Sequence, residues 1–454
     1  MNQVWRVWAT SWLALWCGGL ASPALALDFR EVYDMALRHD PTWLAAQSES
    51  AAGQQERVLG RAALLPRLDY RYTRARNWSE VRQSTPLGET TEDLDYSSYT
   101  SGFTLTQPLF DAAAFAQYRE GRARAEAAGL TLERARQALA VRVLQAYTEV
   151  LYAEDEVSLA EAHRRSLEEE AQRSQRFVER GEGTRTDQLE IEAQSRIVEA
   201  RLIEAEDRLL DARNALRALT GATVISSSLA PLRGEDIDVG DESMTLDDES
   251  VTLEQWREHS LAHNPELAAQ RSMLDAARQQ FNRQRAGHLP TVRLFARSQI
   301  TDSDSENVVG QRYDTDSVGV EVNVPLYAGG RVVAASRQAD STFERTRHEL
   351  DAATLDLLAD LERQYRMTRS SQRRIAAYRD AVEAATGRVE ATRRSVLGGE
   401  RTNLDALIAE RERYEALRDL ARARYDYLLA WLSLRWQAGV LDDGDIERVA
   451  GYFG

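Results

Sequence analysis

The sequence contains no lysine, so all 57 of its basic residues are arginines, set against 73 aspartates and glutamates for a net charge of −16. No stretch gathers the arginines into a basic stripe, and a net negative chain without such a stripe is a poor candidate for nucleic-acid binding. The charges instead suit the solvated faces of long helices. We therefore expect no nucleic-acid partner.

Cysteine is almost absent as well: Cys17 is the only one, and it lies in a segment that reads as a secretory signal. Residues 1–26 carry one charge, Arg6, followed by an apolar run and an Ala-Leu-Ala motif,. We expect cleavage before Leu27, the alternative being a retained signal anchor. Trp16 precedes Cys17, where a lipoprotein would have a small residue, so the mature chain is expected to carry neither lipid nor thiol.

Motifs that carry catalysis or bind cofactors are also missing. The sequence shows no phosphate-binding loop, nucleophile elbow or dinucleotide fingerprint in its structural context,. His259 and His263 stand four apart on an expected helix, a spacing compatible with a metal, but no third ligand is near,. We expect no metal, no cofactor and no enzymatic activity.

Long apolar runs do not occur after residue 26, so the sequence predicts no transmembrane helix,. Residues 112–180 show a different pattern: they contain no proline, and their apolar residues recur at the three-four spacing of a coiled coil,. A helix of that length would extend about 100 Å. Its partner must be another long element, in this chain or in a copy of it.

The two halves of the chain resemble each other at a nearly constant offset of about 220 residues,. Leu37–Pro41 matches Leu261–Pro265, and Gln107–Phe110 matches Val324–Tyr327. Each half reads as a helix that restarts at a proline, two strands, a long helix, a turn and a returning helix. The expected helices are Phe29–Leu64, Ala112–Arg180, Asp187–Leu219, Leu253–Ala286, Arg331–Val396 and Leu404–Gln437. The expected divisions are a signal peptide (1–26), repeats at 27–220 and 251–438, an equatorial linker (221–250) and a C-terminal tail (439–454).

Four segments alternate apolar and polar residues over about ten positions, the length of a membrane-spanning strand,. The polar stretches 77–98 and 301–316 are expected to be loops facing water. Four strands cannot close a barrel, because about eight is the minimum, so several chains would have to contribute; three copies would give twelve. The alternative is two solvent-exposed hairpins that cap a helical bundle.

The duplicated plan, Gly287–Thr291, Val324–Gly330 and the turn Gly399–Asp405 together resemble the TolC family of outer-membrane channels. The resemblance covers nearly all of residues 28–440. It implies a mainly α fold with a transmembrane β-barrel portion: a homotrimer whose twelve-stranded barrel in the outer membrane continues into a twelve-helix periplasmic α-barrel. It also implies the exit duct of a tripartite export system, with outer-membrane lipid, a periplasmic adaptor (membrane fusion) protein and an inner-membrane ABC or RND transporter as partners.

The exported cargo implied by the resemblance is either proteins or small toxic molecules. The turn Gly181–Asp187 looks more like the branch that serves type I protein secretion, and the missing lipid cysteine agrees with it. The alternative function is a soluble periplasmic coiled-coil adaptor or scaffold. The absence of a lipoyl-like β domain weakens that alternative.

In the TolC family, contacts between arginines and carboxylates hold the periplasmic end shut, and aspartate rings line the entrance. By resemblance these roles fall on Asp187, Arg401 and Asp405, with Thr184 and Arg185 in the same entrance. Arg401 could pair with Asp187, and a ring of Asp405 would select cations. The alternative is that Asp187 caps the returning helix and Arg401 is a solvated charge.

Other positions complete the expected site. At two positions where the family often has a tyrosine and a second aspartate, this sequence has Val396 and Ile408 instead. The number of constrictions along the channel entrance therefore stays open. The expected turn residues are the tip glycines Gly181, Gly183, Gly398 and Gly399, and the strand-to-helix turns at Pro108, Pro325, Gly329 and Gly330.

Overall fold

The computed structural model describes residues 27–86, 88–180, 184–221, 229–233, 251–304, 311–398 and 400–454. The expected signal peptide with Cys17, and most of the linker 221–250, lie outside these residues. The described chain is mainly helical, as the sequence predicted. No helix in this described part of the chain is long and apolar enough to cross a membrane.

Two runs of elements follow the same order along the chain. The first run comprises α1 (Phe29–His39), α2 (Pro41–Ala62), β1 (Arg67–Thr85), β2 (Gly88–Phe110), α3 (Ala112–Glu179) and α4 (Arg185–Thr220). The second comprises α5 (Leu253–His263), α6 (Pro265–Arg285), a 3₁₀ turn (Ala286–His288), β3 (Thr291–Ser303), β4 (Gln311–Asn323), α7 (Arg331–Leu397) and α8 (Asn403–Ala438). A short helix, α9 (Asp443–Ala450), follows.

The expected breaks at the two prolines are confirmed, and the residue before each proline shows why. Asp40 accepts a hydrogen bond from the backbone N–H of Trp43 at 2.9 Å, and Asn264 accepts one from Glu266 at 2.8 Å. A side-chain cap followed by proline at the first helical position ends one helix and starts the next. The Asn264 amide also donates to the Gln437 carbonyl at 2.9 Å, which ties this joint to the end of α8.

Each long helix carries two shorter helices along its length. On α3, the amide of Gln54 in α2 donates to the Ala125 carbonyl at 2.9 Å, near the strand end. Further along, Arg213 of α4 pairs with Glu154 at 2.8 Å. The helices α6 and α8 pack along α7 in the same way. This end-to-end arrangement is the one that the matched helix lengths predicted.

The strands form one antiparallel sheet in the order β1-β2-β3-β4. In register, Tyr70 stands opposite Phe103, and Ala296 stands opposite Val318. Large apolar side chains remain exposed on the sheet: Leu68, Tyr70, Tyr72, Phe103, Leu105, Val318, Val320 and Val322. Among the described residues, β1 and β4 each pair on one side only.

The first hairpin is longer than expected, and the prediction of a loop at 77–98 was wrong. β1 has 19 residues and β2 has 23, and they stay paired as far as Thr85 and Gly88. The extension is polar; for example, Arg76 pairs with Asp95 across the strands at 2.7 Å. Strands can pair through their backbones without an apolar face when both faces of the sheet meet water. The alternation of apolar and polar residues therefore predicted strand ends that come too early. Residues 301–303 and 311–316 likewise belong to β3 and β4.

The largest buried cluster surrounds Tyr147, midway along α3. The Tyr147 hydroxyl lies 2.8 Å from the Ala230 carbonyl oxygen and 3.1 Å from that of Leu27. Its ring meets Phe453 edge-on at 4.8 Å between centroids. The stretch 439–454, expected to be a tail, therefore contributes a helix and a buried aromatic ring to the core. The domain boundaries remain a prediction.

Replacing Tyr147 with phenylalanine should lower the free energy of unfolding by about 1–2 kcal/mol, because two buried carbonyls lose their common donor. The midpoint of thermal unfolding followed by circular dichroism measures this. Tyr365→Phe is the matched control, since among the described residues its hydroxyl accepts a hydrogen bond only from the exposed Arg369. Equal midpoints for the two variants would contradict the proposed role of the hydroxyl.

Candidate functional site

The candidate site is the pair of helical tips farthest from the sheet. The helices α3 and α7 start directly after β2 and shortly after β4, and have 68 and 67 residues. At 1.5 Å per residue, each carries the chain about 100 Å from the strands before it turns back. Both turns, and the residues expected to gate the channel, therefore lie at one end of the molecule.

The returning helices begin with matching caps. Thr184 accepts from the backbone N–H of Asp187 at 3.1 Å, and its hydroxyl donates to the Asp187 carboxylate at 2.8 Å. We call α3 with α4 the first helical hairpin and α7 with α8 the second, and from here on "hairpin" means one of these two. In the second hairpin, both the backbone N–H and the hydroxyl of Thr402 donate to the Asp405 carboxylate, at 3.0 and 2.9 Å. The cap of α4 is therefore Thr184, and the helix begins at Arg185 rather than at Asp187.

The charge on Asp405 is stabilised where it stands. The backbone N–H and hydroxyl of Thr402 lower the pKa of this carboxyl below its usual value, with smaller contributions from Arg401 and Arg388. Hydrogen bonds to the charged form favour ionisation. Asp405 therefore carries a full negative charge at neutral pH in the first turn of α8.

Arg401 and Arg185 are exposed at the tips. Among the described residues of one chain, Arg401 makes no ion pair with Asp187, whose carboxylate is instead engaged by Thr184. A gating contact between Arg401 and Asp187 stays a prediction. Gly398 lies in the tip turn, while Gly181, Gly183 and Gly399 fall outside the described residues.

The other expected turn residues lie between the sheet and the long helices. Gly329 and Gly330 adopt positive φ angles of 60° and 81°, which favour glycine, and Gly330 is the N-cap of α7,. Pro325 lies just after β4, separated from its last residue by Val324. Pro108 lies inside β2, at a register shift before Phe110, rather than in a turn after the strand,.

Ion pairs join α7 to α8 close to the tip, and the sequence analysis did not identify them. Arg393 contacts the buried carboxylate of Glu410 at 2.5 Å, and Arg388 pairs with Glu412. Each pair joins α7 to α8 across the tip turn, so no spacing within a single helix pointed to it. They hold the second hairpin together as one unit.

Apolar contacts join the two hairpins near the tip. Leu167 of α3, Ile191 and Val198 of α4, and Leu407 of α8 form a buried group that we call the tip cluster. Farther from the tip, the ring of His163 stacks on Tyr414, with 4.4 Å between centroids and 21° between planes. A cavity of about 230 Å³ lies beside this stack, lined by residues of α3, α4 and α8.

The fold is the one found in outer-membrane channels. The outer membrane protein VceC from Vibrio cholerae superimposes with a TM-score of 0.76 at 20% identity, covering 90% of this chain and 96% of that one. At that identity the likeness concerns the fold alone.

Sequence comparisons identify the family. The family described as outer membrane efflux protein matches residues 32–222 and 256–440. The alkaline protease secretion protein AprF of Pseudomonas aeruginosa is 45% identical over 434 residues, covering 96% of this chain and 89% of AprF. The outer membrane protein TolC of Vibrio cholerae is 28% identical over 437 residues, 95% of each chain.

The chain belongs to the outer membrane efflux protein family, which confirms the resemblance to TolC. It is an outer-membrane export channel and not a soluble adaptor. The names of these relatives describe secretion and outer-membrane proteins, and none names an enzyme.

Among the described residues, no group of three or more His, Cys, Asp or Glu side chains is arranged to hold a metal. The rings of His259 and His263 lie 5.8 Å apart on the surface.

His163 gives the packing between the hairpins a pH dependence. Burial, with Arg201 of α4 and Arg413 of α8 nearby, lowers the pKa of His163 to about 4. Between its ordinary value near 6.5 and about 4, the unfolded chain binds a proton that the folded chain does not, so stability falls as the pH is lowered through this window.

The midpoint of thermal unfolding of His163→Phe, which keeps a stacking ring, should therefore decrease less from pH 7 to pH 4 than that of wild type. Parallel curves for the two proteins would contradict this.

Proposed function

We propose that three copies of this chain form the exit duct of a tripartite export system, which passes proteins through the outer membrane. One observation carries the proposal: a four-stranded sheet with an exposed apolar surface is continuous with helical hairpins about 100 Å long,. Such a chain combines a membrane-facing part and a long wall, but a single copy encloses nothing.

The need for more than one copy follows from strand pairing, and the number three comes from the resemblance to TolC. Strands that face lipid must have every backbone group paired, so the single-sided β1 and β4 require neighbours,. β4 of one copy and β1 of the next are the natural partners, and a ring closed in this way has four strands per copy. Three copies give a barrel of twelve strands, above the minimum of about eight.

The helices would continue the ring below the membrane. In each copy, the long helices α3 and α7 each contribute one helix to the wall. The shorter helices stacked end to end beside each of them contribute one more, which makes four per copy. Three copies therefore give a wall of twelve helices. Stripes of exposed apolar residues on α4, at Leu189, Ile203 and Leu210, are available to pack against a neighbouring copy,.

The proposed cargo is protein, because the relative with 45% identity is named an alkaline protease secretion protein. A periplasmic adaptor and an inner-membrane ABC transporter are the corresponding partners, with an RND transporter and small toxic molecules as the alternative system. Transport of this kind needs no catalysis by the duct, and we propose no enzymatic role for it.

The proposed gate lies at the helical tips. Asp187, Arg185 and Arg401 are charged side chains at the turns, and Asp405 is held ionised by Thr402. Within one chain Arg401 has no carboxylate partner at Asp187, so we propose that it pairs with Asp187 as the copies converge. Three copies of Asp405 would form a ring that favours cations.

The first test is single-channel conductance of the detergent-purified protein in a planar bilayer. Wild type should give small, stable openings. Arg401→Ala and Asp187→Asn should each raise the conductance several-fold, because each removes one side of the charge-assisted contact that narrows the tips.

Arg363→Ala is the matched control, since within the described part of the chain this exposed arginine pairs only inside α7, with Asp360 at 2.9 Å. Its conductance should equal that of wild type. Failure of the wild-type protein to insert into the bilayer would refute the channel, and unchanged conductance in both tip variants would refute the gate.

The cargo is tested by complementation. In a bacterium that expresses an ABC-type protease secretion system without its outer-membrane component, this chain should restore protease to the culture medium. A drug-sensitive strain that lacks its efflux duct provides the comparison. Restored drug resistance with no protease in the medium would contradict protein export as the cargo.

A further inference from the structure

The inference concerns Leu407, one turn into α8. Its side chain is only 7% exposed and packs in the tip cluster with Leu167, Ile191 and Val198, which are almost completely buried. The other three members belong to the first hairpin, so Leu407 is the side chain through which the second hairpin enters this cluster.

Within a single chain, the internal repeat shows that this burial is not a general property of the returning helices. Thr184, Asp187 and Leu189 occupy the same places in α4 as Thr402, Asp405 and Leu407 occupy in α8. Leu189 is nevertheless 56% exposed in the chain. The burial of Leu407 therefore results from contact between the hairpins.

The packing beyond Leu407 is thin. The next contact on the same side of α8 is Tyr414, stacked on His163, and a cavity of about 230 Å³ lies beside it. Charged residues line much of that cavity, among them Glu156, Arg201 and Glu415. On the tip side of the large core around Tyr147, apolar contact between the hairpins is therefore concentrated at the tip cluster, where one side chain contributes a large share.

The two helices of the second hairpin are joined to each other close to Leu407. The pairs Arg393–Glu410 and Arg388–Glu412 join α7 to α8 just beyond Leu407, on the side away from the tip. A displacement of Leu407 therefore moves both helices together.

Leu407 also sets the direction of the proposed gate residues. Successive residues turn by about 100° around a helix, so Asp405, two positions earlier, lies on nearly the opposite side of α8 from Leu407. When Leu407 is seated in the tip cluster, Asp405 is directed away from the first hairpin. Arg401 lies just before the same helix.

We infer that Leu407 is a positioning residue of the gate: seated among Leu167, Ile191 and Val198, it holds the second hairpin against the first and so keeps the tips converged. This inference rests on the proposed function. The tips are then closed by two contacts of different kinds, an apolar one within each chain and an ionic one at Arg401. Leaving the tip cluster is the step that opens the channel.

The test compares conductance in planar bilayers at low and high salt. Leu407→Ala should raise conductance several-fold at both, because apolar packing is not screened by ions, whereas the effect of Arg401→Ala should shrink at high salt, where the ionic contact is already weakened in wild type. Leu407→Met, which restores most of the volume, should conduct nearly as wild type does. Leu397→Ala is the matched control, because Leu397 also lies at a tip but is 79% exposed.

Val198→Ala changes the same contact from the first hairpin and removes less side-chain volume. It replaces Leu407→Ala as the test if Leu407→Ala does not assemble. Wild-type conductance in a correctly assembled Leu407→Ala or Val198→Ala protein would overturn the inference. If Arg401→Ala opens the channel in that case, the proposed gate survives without the apolar contact. If only the cluster variants open it, the inference stands and the ionic gate is wrong.

Discussion

The unpaired edges of the four-stranded sheet are the constraint on which the rest of the structure depends. β1 and β4 are each paired on one side within the described chain. Unsatisfied backbone groups cost several kcal/mol each in hydrocarbon, so in the proposed duct β1 and β4 pair with strands of neighbouring copies. Because α3 follows β2 directly, closure of the strands into a ring also places the helices in a ring. Their length then decides how far from the membrane the channel ends.

Packing strength is distributed unevenly along that length. Midway down α3, the chain gathers α1, α9, the segment Leu229–Arg233 and the middle of α8 around Tyr147 in one large core. Near the tips, the contacts between the hairpins among the described residues are few: the small tip cluster, the stack of His163 on Tyr414 and the ion pair Arg201–Glu415. Regions with few buried contacts open at low free energy. A duct built in this way can keep a rigid middle while its far end moves.

Much of the fold could be read from the sequence because its signals are local. Heptad spacing predicted α3 and α7. The helix breaks were predicted at Asp40-Pro41 and Asn264-Pro265, where a capping side chain is followed by proline. The polar part of strands β1 and β2 was missed, because pairs such as Arg76–Asp95 hold strands together without apolar alternation. The tip cluster and the stack of His163 on Tyr414 were also missed. They join residues from helices far apart in sequence, and only packing between elements brings them together.

The central claim is that three copies close one continuous duct, and electron cryomicroscopy of the detergent-purified protein tests it most directly. The account predicts a threefold particle with twelve strands in a closed barrel, β4 of each copy paired with β1 of the next, and twelve helices that converge at tips carrying Asp187, Arg401 and Asp405. A particle with open sheet edges, or a ring in which β1 and β4 do not meet between copies, would contradict it.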